Sequence, residues 1–329
     1  MQNSDNSILS NKNILITGGA GFIGSNLIEK LIKQNNNIIC LDNLSTGDIN
    51  NIKEFFNLSN FQFVEGDIRN FEICLSICKN IDIVLHHAAL GSVPRSIKNP
   101  HQTNGVNVDG FLNMLIAARD NKVKRFIYAS SSSVYGDSEN FPKTENIIGN
   151  PLSPYAISKL TNELYAQNFS KLYGIETIGF RYFNVFGKNQ NPNGEYAAVF
   201  PKFIKTILEG KNPIIFGDGT QSRDFTFVKN IVLANELAAI TNNKQALNTV
   251  FNIAFGETYD LLSLTEKIIE KIALFKPELK NIKPIFAPER LGDIKNSHAS
   301  IEKARKLLNY YPRYNVFDGL EVYIEEYLR

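Results

Sequence analysis

NILITGGAGFIG, residues 13–24, is the stretch of this sequence that decides the fold. Its first five residues, Asn13–Thr17, are mostly apolar and run into glycines, which predicts a buried strand. From Phe22 to Gln34 the apolar residues recur at helical spacing, which predicts a helix. A strand, a glycine turn and a helix in this order are typical of the first βα unit of a dinucleotide-binding fold.

The glycines Gly18, Gly21 and Gly24 have the spacing GxxGxxG. We expect Gly18 to permit the sharp turn, Gly21 to leave room for a pyrophosphate, and Gly24 to let helix and strand pack closely. The pyrophosphate would lie on the helix N-terminus, where unpaired N–H groups and the helix dipole favour negative charge. On this hypothesis Phe22 and Ile23 also border the cofactor.

The segments that follow continue the alternation of strand and helix. The predicted strands are Asn37–Leu41, Phe61–Val64, Ile81–Leu85, Lys124–Ala129 and Glu176–Tyr182. The predicted helices are Phe71–Lys79, Asn104–Asn121 and Pro154–Tyr173. Such alternation indicates βαβ units with right-handed crossovers. The expected fold is α/β, a Rossmann-like doubly wound parallel sheet with a smaller C-terminal α/β lobe that binds the substrate.

The character of the sequence changes after Arg181, where Gly and Pro become more frequent and the predicted elements shorter. We expect a polar tail at residues 1–11, a dinucleotide-binding domain at residues 12–185 and a mainly substrate-binding lobe at residues 186–329. Some segments of that lobe are expected to return to the first domain.

The composition excludes several classes of protein. The 35 basic and 33 acidic residues form no long run of one sign, which argues against nucleic-acid or membrane-surface binding. No apolar run reaches the roughly 18 residues of a membrane span, and the polar N-terminus lacks the apolar segment of a signal peptide. Three cysteines without a disulfide pattern suit a reducing cytoplasm. Cys74 and Cys78 are spaced for a metal or redox pair, but buried thiols are the favoured interpretation.

Two acidic residues follow predicted strands. Asp42 comes 18 residues after Gly24, close to the roughly 20 expected for a carboxylate that binds the adenine ribose. A carboxylate there accepts from a free 2′-hydroxyl and repels a 2′-phosphate, so NAD is favoured over NADP. A turn-starting role before Asn43 is the alternative. Asp67 and Ile68 follow the third strand, where an adenine would lie, although a turn is the better interpretation of Asp67 taken alone.

His86 and His87 follow the fourth strand and precede Ala88 and Ala89. Small alanines would let the backbone approach the cofactor, which makes Ala88 a candidate contact. A metal site is one interpretation of the two histidines. However, adjacent strand residues point to opposite faces, and no Asp, Glu or Cys lies near them in the sequence. Packing or hydrogen bonding is therefore favoured, and we expect no metal.

A tyrosine and a lysine four residues apart, Tyr155 and Lys159, lie on one face of a predicted helix. A phenol has a pKa of about 10, and we expect the ammonium of Lys159 and the positive nicotinamide ring to favour the phenolate. Ser131, at the carboxyl end of its strand, would hydrogen-bond the same substrate oxygen. The pattern indicates hydride chemistry at a carbinol carbon, with proton transfer by the tyrosine. A surface helix pair is the alternative.

Taken together, the glycine turn, the serine run Ser130–Ser133 before Val134-Tyr135-Gly136, and Tyr155-x-x-x-Lys159 resemble extended short-chain dehydrogenase/reductases. Within that superfamily the chain resembles the nucleotide-sugar 4-epimerases, from about Lys12 onward. The resemblance implies tightly bound NAD and a UDP-sugar substrate that contacts Ser131, Ser132, Ser133 and Tyr155. It also implies that the nucleotide and its diphosphate contact Asn184, Arg223, Arg290 and Asp293. Arginine suits a diphosphate because its planar fork meets paired oxygens.

Finer motifs resemble the bacterial UDP-N-acetylglucosamine 4-epimerases of surface-polysaccharide pathways. These motifs are Ala89–Ile97 (ALGSVPRSI), Pro151–Tyr155 (PLSPY) and Ala197–Pro201 (AAVFP). Ser297 falls where UDP-glucose 4-epimerases often carry a tyrosine, so the resemblance implies room for an N-acetyl group. Gly91 and Ser92 would border the same sugar. No carboxylate lies between Ser130 and Tyr135, so the acid of the related 4,6-dehydratases is missing.

Three other interpretations stay open on sequence alone. Arg95 suits the carboxylate of a uronic acid, as in UDP-glucuronate 4-epimerases. UDP-glucose and UDP-galactose would also fit a roomy pocket. A non-catalytic NAD-sensing protein is the alternative from another class, although such proteins usually lose the Tyr or the Lys. Helices Asn104–Asn121 and Pro154–Tyr173 are apolar beyond one face, and the resemblance implies a homodimer formed through a four-helix bundle.

Overall fold

A computed structural model describes residues 9–192, 199–289 and 296–328 of the chain. Strands alternate with helices throughout the first half. The strands are β1 (Asn13–Thr17), β2 (Asn37–Asp42), β3 (Phe61–Glu65), β4 (Ile83–His86), β5 (Arg125–Ser131), β6 (Glu176–Tyr182), β7 (Val185–Phe186), β8 (Ile214–Phe216), β9 (Ser222–Arg223), β10 (Thr226–Phe227), β11 (Thr249–Ile253), β12 (Tyr259–Asp260), β13 (Ile285–Ala287) and β14 (Asn296–Ser297).

The α-helices lie between and after these strands. They are α1 (Phe22–Leu31), α2 (Phe71–Ile77), α3 (Val93–Lys98), α4 (Pro100–Asn104), α5 (Gly110–Asp120), α6 (Pro154–Tyr173), α7 (Val199–Leu208), α8 (Val228–Ile240), α9 (Leu261–Phe275), α10 (Glu302–Leu308) and α11 (Val316–Leu328).

The main sheet confirms the predicted fold class. Within the described residues it has seven strands in the order β11-β6-β5-β4-β1-β2-β3, and every neighbouring pair is parallel. Strand order reverses beside β1, the topology that in doubly wound sheets opens a ligand crevice at the carboxyl ends of the strands. The glycine turn after β1 and the serines at the end of β5 lie at that edge.

Apolar clusters cover both faces of this sheet, and a third fills the second lobe. One cluster packs α1, α8 and α10 on one face, and another packs α2, α5 and α6 on the other. The third cluster joins α7, α9 and α11. The late strand β11 pairs with β6 at the edge of the main sheet. The second lobe therefore contributes to the main sheet and its covering layer.

One predicted helix, Asn104–Asn121, is interrupted. The chain forms a π-helical turn at Gly105–Asp109, and α5 follows it from Gly110. The wider turn contains Asn107, whose side chain is buried. Its Oδ1 accepts a hydrogen bond from the Leu90 N–H at 2.8 Å. Single π turns inside helices are frequent at functional sites.

The described helices include none that is both long enough and apolar enough to cross a membrane.

Candidate active site

The glycine turn has the geometry that a dinucleotide site requires. Gly18 has a φ of +69°, and a Cβ there would lie 2.7 Å from the Ala88 backbone nitrogen. A Cβ on Gly24 would overlap the Gly18 carbonyl oxygen, so α1 packs closely on the turn. Gly21 is the N-cap of α1 and brings no side chain to cap it. The first N–H groups of α1 are thus left for an anion.

Phe22 and Ile23 begin α1 and pack on different clusters. Phe22 packs against the third cluster, in the second lobe, whereas Ile23 packs against the first. The helix that would carry the pyrophosphate is therefore held by both lobes.

Asp42 is buried at the end of β2 and holds the glycine turn. Its carboxylate accepts from the Ala20 N–H at 3.0 Å and the Leu44 N–H at 2.8 Å. Burial raises its pKa above the ordinary value, against these backbone hydrogen bonds. The local turn and a ribose-binding role are compatible, because a carboxylate accepts about four hydrogen bonds.

Asp67 is bound within the chain. Arg69 donates to it through Nε at 3.0 Å and Nη2 at 2.7 Å, and Asn43 donates at 2.8 Å. The hydrogen bond from Arg69 is the main reason that the pKa of Asp67 falls to about 2. Ile68 is buried beside it and packs against Gly110.

The two histidines make hydrogen bonds and ring contacts, the interpretation favoured from sequence. His86 Nδ1 bonds the Thr17 hydroxyl at 2.9 Å, and His87 Nε2 bonds the Tyr182 hydroxyl at 3.1 Å. Burial lowers the pKa of both, that of His87 to about 4. Ala88 donates its N–H to the same Thr17 hydroxyl at 3.2 Å. The described residues contain no group of three or more His, Cys, Asp or Glu arranged to hold a metal ion.

Tyr155, Lys159 and Ser131 converge where β5 ends and α6 begins. The helix begins with Pro154 after Ser153, whose hydroxyl accepts from the Ala156 N–H at 3.1 Å. This start places Tyr155 in the first turn. Lys159 Nζ lies 6.0 Å from the centre of the Tyr155 ring and donates to a β5 carbonyl, that of Ala129, at 2.8 Å.

The pKa values differ in part from the expected ones. Burial raises the pKa of Tyr155, and a hydrogen bond with Ser131 lowers it again in part. Burial also lowers the pKa of Lys159 to about 8, opposed by Glu163. The expected lowering of the phenol pKa by Lys159 is not seen in the protein alone, where burial dominates and the opposing contribution comes from Ser131. The phenol and the Ser131 hydroxyl nevertheless lie close together, as the predicted proton transfer requires.

The side chains of the serine run Ser130–Ser133 make contacts on two different sides of β5. The Ser131 hydroxyl accepts from the Ser133 N–H and lies 3.1 Å from the Ser133 hydroxyl, while Ser132 is half-buried in the same turn. Ser130 instead donates to Glu163 at 2.5 Å. Strand alternation explains the split, because successive residues point to opposite faces.

The second lobe brings together residues that are far apart in sequence. Arg223 and Ser297 are paired in parallel register between β9 and β14. Asp224 accepts from the Ala299 N–H at 3.3 Å and the Gly256 N–H at 3.2 Å. Asn184 donates to the Asp224 carbonyl at 3.0 Å. Three predicted substrate residues therefore meet around one buried aspartate.

The other predicted substrate residues are placed differently. Gly91 is exposed, and no atom of the described residues lies within 4 Å of where a Cβ on it would stand. Ser92 is the N-cap of α3, and its hydroxyl accepts from the Arg95 N–H at 3.2 Å. Arg290 and Asp293 lie outside the described residues. A cavity of about 440 Å³ in the second lobe holds none of the predicted site residues and is lined by Leu262, Glu266, Ile269, Ile282, Lys283, Pro284 and Phe286.

A sequence profile of the NAD dependent epimerase/dehydratase family matches residues 14–254. The chain belongs to this family. Among solved structures, it is similar to the UDP-N-acetylglucosamine 4-epimerase from Methanobrevibacter ruminantium M1 in complex with UDP-N-acetylmuramic acid. The identity is 38%, the match covers 97% of this chain and 99% of that one, and the TM-score is 0.90.

Two further relatives are named as epimerases of other UDP-sugars. The UDP-glucose 4-epimerase of Mycolicibacterium smegmatis is 33% identical, over 94% of this chain and 97% of that protein. The Bacillus cereus UDP-glucuronic acid 4-epimerase, solved with UDP-glucuronic acid and NAD, is 33% identical with a TM-score of 0.84, over 96% of this chain and 100% of that one.

NAD is the cofactor of this epimerase/dehydratase family, and the residues of this chain fit it. A side chain at Gly21 would enter the space above the α1 N-terminus, and a Cβ there already approaches the Gly18 carbonyl to 3.1 Å. The carboxylate of Asp42, at the end of β2, matches an unphosphorylated ribose.

Two residues near the site were missed from sequence. Asn107 donates to the Ser158 hydroxyl at 3.1 Å, three residues from Tyr155. Glu163 pairs with Arg181 at 2.7 Å under the serine turn. Glu163 follows Lys159 by four residues, and that spacing was a signal that could have found it.

Proposed function

We propose that this chain interconverts UDP-N-acetylglucosamine and UDP-N-acetylgalactosamine by NAD-dependent inversion at carbon 4. The observation that carries the reaction type is the position of the Tyr155 phenol and the Ser131 hydroxyl, a pair that lies beside the buried Lys159 where β5 ends and α6 begins. This pair lies at the carboxyl edge of the sheet, the same edge as the glycine turn.

The steps follow from the chemistry of these groups. Tyr155 takes the proton of the 4-hydroxyl, and Ser131 holds the same oxygen by a hydrogen bond. NAD held by the glycine turn and Asp42 would supply reversible hydride transfer at carbon 4, and a turn of the 4-keto sugar between the two transfers would invert that carbon. Tyr155 then gives its proton back, so the protein ends the cycle unchanged and NAD need not be added.

Support for the N-acetyl sugar comes from Ser297. It stands opposite Arg223 in register, so a residue suited to the diphosphate and a small side chain lie on neighbouring strands. A serine leaves the space that a larger residue would fill. The named specificity of the Methanobrevibacter relative agrees with this choice. On the resemblance of Ala89–Ile97, Pro151–Tyr155 and Ala197–Pro201 to epimerases of surface-polysaccharide pathways, we propose surface-polysaccharide synthesis as the use of the product. Three cysteines without a disulfide pattern favour the cytoplasm as its place.

UDP-glucuronate is the second candidate sugar. Arg95 is the third residue of α3, three positions after the Ser92 cap, and the Bacillus relative is a UDP-glucuronic acid epimerase. UDP-glucose and UDP-galactose would bind a roomy pocket as weaker substrates.

We also propose a homodimer. The surface of α3 and α6, which are in contact, exposes a group of large apolar side chains. They are Ile97, Ile157, Leu164 and Leu172, each more than half exposed. Apolar patches of this kind on a folded protein mark interaction sites. Two copies of this face would bury them. Helix α6 is one of the two helices expected to form a four-helix bundle, whereas the other, Asn104–Asn121, exposes no large apolar side chain.

The test is incubation of the purified protein with UDP-N-acetylglucosamine, without added cofactor, and separation of the products by ion exchange. UDP-N-acetylgalactosamine is the expected product. Parallel incubations with UDP-glucuronate and UDP-glucose decide among the sugars. A protein that carries NAD and converts none of the three would instead be a binding protein.

A further inference from the structure

The active face of α6 continues for one more turn beyond the lysine. Tyr155, Lys159 and Glu163 follow one another at four-residue intervals, so they lie along one side of the helix. The Glu163 side chain is only 7% exposed. A buried carboxylate requires charged or hydrogen-bonding partners, which the surrounding strands provide.

Those partners come from β5 and β6. Arg181 donates to both oxygens of Glu163, through Nε at 2.9 Å and Nη2 at 2.7 Å. Ser130 donates to one of them at 2.5 Å. The guanidinium also stacks on the Tyr135 ring at 4.9 Å. A two-pronged ion pair of this kind is shorter and stronger than a neutral hydrogen bond, and it fixes the position of the carboxylate.

Two side chains of α6 form hydrogen bonds with β5, the strand that ends at Ser131. Lys159 donates to the Ala129 carbonyl at 2.8 Å, and Glu163 accepts from the next residue, Ser130. The helix therefore holds two consecutive residues of β5 immediately before Ser131. These contacts hold the end of the strand that carries Ser131 against α6, the helix that carries Tyr155.

We propose that Glu163 is a positioning residue of the reaction, whose carboxylate keeps Lys159 in its ammonium form and anchors the strand that carries Ser131. The inference rests on the proposed function for the reaction, but the charge on Lys159 can be measured separately. Several groups act on Lys159: the His86 and His87 rings at the end of β4, Tyr155 and Glu163 on α6, and the Ala129 carbonyl. Among the described residues, Glu163 is the carboxylate that supports its charge.

The experiment measures the titration of Lys159 directly. Protein purified with its NAD is labelled with ¹³C-lysine, and the Lys159 signal is assigned by its loss in Lys159→Arg. We expect Glu163→Gln to lower the Lys159 midpoint by about one pH unit or more, because a nearby opposite charge is lost. The alkaline limb of the kcat profile should move down by a similar amount.

A matched control lies on the same two strands. Glu176 pairs with the buried Arg125 at 2.6 Å, at the opposite end of β5 and β6. Glu176→Gln should leave the Lys159 midpoint unchanged. If Glu163→Gln fails to fold because Arg181 is left unpaired, the double variant Glu163→Gln/Arg181→Met removes both charges. A smaller lowering of the Lys159 midpoint is then expected, because a nearby positive charge is lost with the negative one.

An unchanged midpoint in the folded Glu163 variant, with activity reduced equally at every pH, would overturn the proposal and leave only a packing role. A lowered midpoint in a protein that epimerises no UDP-sugar would retain the charge relationship and refute the proposed function instead.

Discussion

Arg223 and Ser297 stand opposite each other in parallel register, although 74 residues separate them in the chain. Two-residue strands, β9 and β14, hold them together. Asp224 strengthens the junction by accepting from the Ala299 N–H at 3.3 Å. The side chain at position 297 is therefore placed by the strand that carries Arg223.

Ser297→Tyr should switch the sugar preference. A tyrosine would fill the space proposed for the N-acetyl group, so kcat/KM for UDP-N-acetylglucosamine should fall by about 100-fold. Activity on UDP-glucose should be kept, because that sugar lacks the group. The ratio of the two kcat/KM values is the measurement, and Ser297→Ala is the control that adds no bulk. An equal loss on both sugars would refute the specificity role of Ser297.

The sequence predicted the parts of the fold that have local signals. The bounds of β1, β6 and α6 were predicted correctly, and for α6 the reason is visible. Ser153 and Pro154 start this helix, and Gly174 ends it in the left-handed conformation. Such capping residues act within a few positions of the chain.

The parts that were missed depend on contacts between distant residues. The π turn at Gly105–Asp109 depends on a hydrogen bond between Asn107 and Leu90. The sequence of the turn itself gives no signal of this bond. The pair of Glu163 and Arg181 joins a helix to a strand. The high pKa of Tyr155 results from burial, which sequence spacing does not report.

Tyr155→Phe should lower kcat by about 100-fold or more, because it removes the group that transfers the proton. Bound NAD should remain, since the glycine turn and Asp42 are unchanged. Absorbance of the cofactor released on denaturation gives its occupancy, and a coupled assay gives kcat. A Phe variant with near wild-type turnover would refute the role of Tyr155.

Gly24→Ala should destabilise the protein, whereas Gly21→Ala should mainly weaken cofactor binding. A Cβ at Gly24 would overlap the Gly18 carbonyl, and such overpacking costs about 1–3 kcal/mol of the free energy of unfolding. At Gly21 the contact with the same carbonyl is 3.1 Å. Denaturant unfolding and NAD content measure the two effects. If the two variants lose equal stability, the packing role assigned to Gly24 and the cofactor role assigned to Gly21 are contradicted.

Asp224 should make stability depend on pH. Burial raises its pKa from 3.8 to about 7, so the folded chain holds the proton more tightly than the unfolded chain. Its contribution to stability is complete below about pH 4 and is lost as the pH rises through 7. Unfolding of the wild type and Asp224→Asn at several pH values tests this. Their difference in unfolding free energy should fall between pH 4 and 7, and a constant difference would contradict the shift.

Leu164→Glu should convert the proposed dimer to a monomer. Leu164 is 59% exposed on α6, two helical turns from Ile157, which is 54% exposed, so both lie on the face proposed for the partner copy. A charge buried there without a counterion would oppose association. Leu274, which is 68% exposed on α9 in the second lobe, provides the matched control, and Leu274→Glu should remain a dimer. Light scattering after size exclusion gives the mass of each. A monomeric wild type, or a dimeric Leu164→Glu, would show that α6 does not form the interface.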